Sequence, residues 1–121
     1  MFHALCWNCA DCLIGGTNSD RSAPAWRQAY RAVEHGFARN QCEKRHVVSR
    51  FPAEIQDFAA LFKSLQEKRN AADYDPFSRF SKTDADTMID TAELAISRFR
   101  RSSIKDRRAF AAWTTMKNRS D

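Results

Sequence analysis

Apolar side chains return every three or four residues along most of this chain, and nowhere do they alternate with period two. That spacing lines up one face of a helix and leaves a strand with no consistent inside, so the pattern points to an all-α fold. The clearest stripe follows Phe51-Pro52 and runs Ile55, Phe58, Phe62, Leu65. A length of 121 residues is near the commonest single-domain size, and nine Phe within a 43% hydrophobic composition argue against disorder. The expectation is one domain over residues 1–121, an antiparallel bundle of four to five helices joined by short links.

Residues 2 to 14 place Phe2, Leu5, Cys6, Cys9 and Leu13 at helical spacing and stop at Gly15-Gly16. Core-like residues stand there from the first position with no N-cap, as in a first helix that lacks its upstream turns through truncation or a misassigned start. Ser22 and Pro24 signal a second helix, with Trp26, Tyr30, Val33 and Phe37 on one side. The polar stretch from Arg39 to Arg50 has weak periodicity and reads as a turn or irregular link. The third helix opens at Phe51-Pro52 and breaks at Asp75-Pro76, with a loop to Ser81. A fourth starts near Thr83 and turns Ala85, Met88, Ile89, Ala92, Ile96 and Phe99 to one side, leaving Asp86, Asp90 and Glu93 elsewhere. Ser102-Ser103 interrupts it, and Phe110, Trp113 and Met116 mark a short last helix inside a basic tail over 102–121.

Several classes of function are disfavoured. No apolar run reaches the roughly 18 residues of a membrane helix, and the start lacks the basic residues of a secretory signal, so a cytoplasmic protein with no membrane contact is expected. Only three glycines occur, and none forms a phosphate-cradling loop. In a reducing compartment the four cysteines stay as thiols. Cys6, Cys9 and Cys12 have a C-x2-C-x2-C spacing like that of a ferredoxin cluster, but a helix spreads such thiols around roughly 240° of its surface, a poor chelate. They read as small core residues, with no metal or other cofactor expected.

Charge is concentrated at one end. Residues 98 to 119 hold eight Lys or Arg against one Asp, a local +7 in a chain of net charge +5. Arg98, Arg101, Lys105 and Arg108 share one stripe if a helix passes through Ser102-Ser103, with Phe110 and Trp113 beyond. Two readings stand: RNA binding by phosphate neutralisation and base stacking, or a solvated face above a core-packed Phe and Trp.

Arg69 is the most informative single residue, because it extends the Ile55-Phe58-Phe62-Leu65 stripe and a guanidinium there needs a partner. Asp73 stands at i+4, with Asn70 and Tyr74 close by. Either Arg69 and Asp73 form a structural clasp at the helix end, or Arg69 faces a phosphate.

The run LFKSLQEKRNAADYDP, residues 61–76, resembles the last core-helix motif of HEPN-domain proteins, in the bacterial branch that ends in an ADY signature. AWRQAYRAVEHGFARN (25–40) and KDRRAFAAW (105–113) resemble the same branch, and MFHALCWNCADCLIGG is similar to the end of its first helix. The resemblance implies a helical bundle, often a homodimer, from toxin-antitoxin or defence modules in which a minimal nucleotidyltransferase is a frequent partner. Active members are metal-independent endoribonucleases that use an Arg and a His with four to six residues between them. Arg69-Asn70 matches the first half, but Tyr74, Asp75 and Pro76 stand where the His belongs.

That departure matters chemically. Cleaving RNA through its own 2′-hydroxyl needs proton transfer near neutral pH together with cationic stabilisation of the phosphorane. Asp73 paired with Arg69 is a weak base, and Tyr74 is too weakly acidic to substitute unaided. His35 or His46 folding toward Arg69 is the alternative source, and each also reads as a partly exposed surface histidine. Three functions follow: a HEPN-like protein binding RNA, a nucleotide or a protein through a degenerate groove of Arg69, Asn70, Asp73 and Tyr74; a metal-independent endoribonuclease toxin; or a structural dimerisation adaptor.

Overall fold

Local start and stop signals cut the apolar periodicity into seven helices among the described residues, with no strand. The computed structural model describes residues 1–74 and 81–118, the side chains of 69–74 excepted. The helices are α1 (Phe2–Leu13), α2 (Ala23–Ala32), α3 (His35–Cys42), α4 (Arg45–Val48), α5 (Ala53–Tyr74), α6 (Lys82–Arg100) and α7 (Ile104–Thr115). The chain is all-helical, as its periodicity implies.

Three of these starts are capped by serine. The Ser22 hydroxyl accepts from the Ala25 N–H at 3.3 Å, with Pro24 in the first turn. Ser81 and Asp84 form a capping box, each side chain accepting from the other's backbone N–H, at 3.0 and 3.2 Å. Ser103 accepts from the Asp106 N–H at 3.2 Å and donates to the Asp106 carboxylate at 2.7 Å.

The single second helix expected from Trp26, Tyr30, Val33 and Phe37 is instead two. Val33 and Glu34 take extended backbone, with ψ of 113° and 124°, so the helix stops at Ala32 and restarts at His35. Val33 drops its side chain into the core at that break, and Phe37 leaves the Trp26-Tyr30 face. The polar link after Arg39 holds the end of α3 and the single turn α4.

Aromatic rings join α5, α6 and α7. Phe58 stacks on Phe99 with centroids 4.4 Å apart, and Phe110 meets both edge-on at 6.1 and 5.8 Å. All three side chains are fully buried, and each such ring contributes roughly 1.5–3 kcal/mol by removal from water. α1 lies on α7, where Asn8 Nδ2 donates to the Arg107 carbonyl at 3.4 Å and Cys9 packs beside Thr114. α3 is held to α7 by a reciprocal pair: Gln41 Nε2 donates to the Trp113 carbonyl at 2.9 Å, and Trp113 Nε1 to the Gln41 carbonyl at 3.0 Å. On the other side of α1, Trp26 and Tyr30 of α2 pack edge-on against Trp7 and His3, which stay exposed.

The apolar side expected of α6 holds only at its C-terminal end. Phe99 is buried and Ile96 packs against the core, yet Ile89 is 55% exposed and Ala85 lies in solvent. α6 packs principally along α5, and the remaining helices gather around the Phe58-Phe99 end of that pair, so its far turns receive no cover from them.

Candidate nucleic-acid interface

The corner between α6 and α7 gathers the strongest unneutralised charge. Arg98 and Arg100 end α6, Arg101 caps it, and Lys105 and Arg108 stand on the first turns of α7; all five side chains are exposed. None of them forms an ion pair among the described residues. The nearby acid, Asp106, is occupied by Ser103, and Arg107 folds back so that its Nε donates to the Ser102 carbonyl at 3.1 Å. Cations at the C-terminus of α6 also suit its dipole.

The helix does not pass through Ser102-Ser103, so Arg98 and Arg101 belong to one helix end and Lys105 and Arg108 to the next. They form a corner rather than a straight stripe. Base stacking on Phe110 and Trp113 is also corrected. Phe110 is fully buried, while Trp113 is partly buried, its N–H spent on Gln41 and its ring covered by Lys44 at 5.6 Å. What this surface offers a polyanion is charge.

The α5 backbone remains helical through Tyr74, but the side chains of Arg69, Asn70, Asp73 and Tyr74 lie outside the described residues. His46 is exposed on α4. His35 is partly exposed, as expected, and its ring lies between Phe2 and Phe62 at centroid distances of 4.5 and 5.1 Å. Arg69 follows Phe62 by seven residues, so its Cα returns to nearly the same face of α5 about 10 Å further on.

No family model, curated protein or solved structure matches the chain. Its chemistry therefore has to be read from its own groups. Among the described residues no set of three or more His, Cys, Asp or Glu side chains is placed to hold a metal ion. All four thiols are buried and free. Burial pushes Cys6 up to about 11 and Cys42 up to about 12, and raises Cys9 and Cys12 as well. Such thiols are protonated near neutral pH and make poor nucleophiles. No helix among the described residues is long and apolar enough to cross a membrane.

The seam between α3 and α5 went unnoticed in the sequence. His35, Arg39 and Cys42 follow one another at i, i+4 and i+7 on α3, hence on one face. His35 rests on Phe62, and Cys42 shares a cavity of about 500 Å³ with Ala60 and Lys63. Both ends of the face thus meet α5, which puts Arg39 between them in the seam. Arg39 is half-buried, and its Nε is out of solvent with no hydrogen-bond partner. Gln66, one turn beyond Phe62, likewise has a buried Oε1 with none. No motif marks either residue.

Proposed function

We propose that the chain is a HEPN-like helical protein that binds RNA through the α6–α7 corner, in a toxin-antitoxin or related defence module, with an altered groove at Arg69, Asn70, Asp73 and Tyr74. The observation that carries the reading is the set of five exposed cations, Arg98, Arg100, Arg101, Lys105 and Arg108, with no carboxylate paired to any of them among the described residues. An exposed cluster of one sign attracts a phosphate backbone and releases its counterions on contact. The motif at residues 61–76 supports the family assignment, and Tyr74, Asp75 and Pro76 at the positions of the family's His favour binding over cleavage.

Affinity for a labelled single-stranded RNA should fall steeply with salt. Changing Arg98, Arg101, Lys105 and Arg108 together to Gln should flatten the log–log salt slope by about 3, from roughly 0.7 per phosphate contact. An unchanged slope would remove the corner from the interface. Metal-free cleavage of RNA by the wild-type chain, abolished in a well-folded Arg69→Ala variant, would replace binding with ribonuclease activity as the function.

A further inference from the structure

Gln56, Ala60, Lys63 and Glu67 recur along α5 in steps of four, three and four, so they share one face. That face is one wall of the cavity of about 500 Å³, and the end of α3 with the turn α4 forms the other. Gln56 ties the walls together, its Nε2 donating to the Ser49 and Phe51 carbonyls at 3.3 and 2.7 Å. Four charged side chains line the cavity, one of each sign on each wall: Lys63 and Glu67 from α5, Arg45 and Glu43 from the α3–α4 corner. Lys63 and Glu67 stand one turn apart, a spacing at which opposite charges commonly pair. Yet none of the four forms an ion pair or a side-chain hydrogen bond among the described residues. The buried Cys42 and Val48, with Ala60, supply the apolar part of the lining.

A ligand of one sign entering this cavity meets as many like charges as opposite ones, whereas a ligand that carries both signs finds a partner for each. The volume is that of a small-molecule site. We infer that the cavity binds a small zwitterion, an α-amino acid with an apolar side chain. Lys63 and Arg45 receive its carboxylate, for which the guanidinium fork is suited. Glu43 and Glu67 receive its ammonium, and its side chain lies against Cys42, Val48 and Ala60. An amino acid carries both charges at one end and leaves its side chain for the apolar lining. The inference does not rest on RNA binding at the α6–α7 corner, none of whose five cations lines this cavity apart from it.

The test is calorimetry and thermal melting of the full chain with three molecules of one carbon skeleton: L-leucine, isocaproate, which lacks its ammonium, and isoamylamine, which lacks its carboxylate. L-Leucine is expected to bind at millimolar concentration and to raise the melting temperature. Each single-charge molecule should bind about tenfold more weakly or worse, for the loss of one charge-assisted contact. Removing one sign from the walls should change the preference. Arg45→Gln with Lys63→Gln should weaken L-leucine by about tenfold and bring isoamylamine level with it, and Glu43→Gln with Glu67→Gln should do the same for isocaproate. Circular dichroism checks that both double variants are folded; should either not be, the three-ligand comparison on the wild-type chain decides alone. No binding of L-leucine by the folded wild type overturns the site. So does equal binding of all three molecules, which would mean association through the apolar skeleton alone. L-Leucine binding that neither double variant alters removes the ligand from this cavity and overturns the inference as well.

Discussion

Buried polar side chains in this molecule act as fasteners wherever they are paired. Gln41 is 5% exposed, and its amide closes a two-bond ring with Trp113 between α3 and α7. Gln41→Ala strips the partner from the Trp113 carbonyl and should cost about 1–3 kcal/mol; equal urea midpoints for variant and wild type would show the pair to be dispensable. The thiols give a second expectation, with a sign. A thiol whose folded pKa lies above its unfolded value contributes stability that is present below the unfolded pKa and lost as pH rises toward the folded one. Cys6 rises from 9.0 to about 11 and Cys42 from 9.0 to about 12, so the chain should lose stability progressively above pH 9. Urea midpoints at pH 8 and 9.5 under reducing conditions measure the loss, and a Cys6→Ala, Cys42→Ala double variant should lose less across that interval. The sequence shows the cysteines as small apolar residues at helical spacing, which agrees with their burial. His35 and Arg39 were not legible, because Phe2 and Phe62 come from distant segments and no short-range pattern announces them.

Among the elements, legibility followed burial. The stripe Ile55, Phe58, Phe62 faces the core as its spacing requires, and the breaks before α5 and α7 fall where Pro52 and Ser102-Ser103 stand. The split of α2 from α3 was hidden, because Trp26, Tyr30, Val33 and Phe37 keep helical spacing straight across it. The backbone turns extended at Val33 to bury that side chain, a tertiary demand that overrides local propensity. α6 shows the converse, since a regular stripe does not ensure a covering partner along its whole length. Phe99→Ala should therefore cost about 3–5 kcal/mol, and Ile89→Gln no more than about 0.5 kcal/mol. Chemical denaturation of both variants measures the contrast, and similar losses would mean that the far turns of α6 are buried in solution.

For the molecule as a whole, the helical class was plain from the sequence, while the pairing of helices was not, since α1 meets α7 across almost the whole chain. Cys9 lies 105 positions from Thr114, and Asn8 lies 99 from the Arg107 carbonyl it binds. A contact of that span closes a loop of about a hundred residues, and the entropy of closure has to be met before the contact gives anything back. The Phe58-Phe99-Phe110 joint spans about half as much chain, so its closure costs roughly 0.6 kcal/mol less. The order of events in folding should follow: α5, α6 and α7 collapse around their rings first, and α1 docks on α7 after the rate-limiting step. Leu5→Ala would then speed unfolding and leave the folding rate almost unchanged, whereas Phe58→Ala would slow folding. Stopped-flow chevrons distinguish the two. A core assembled in that order is completed by its first helix last, so in the interval before docking the buried thiols of α1 are open to solvent and to any alkylating or oxidising reagent.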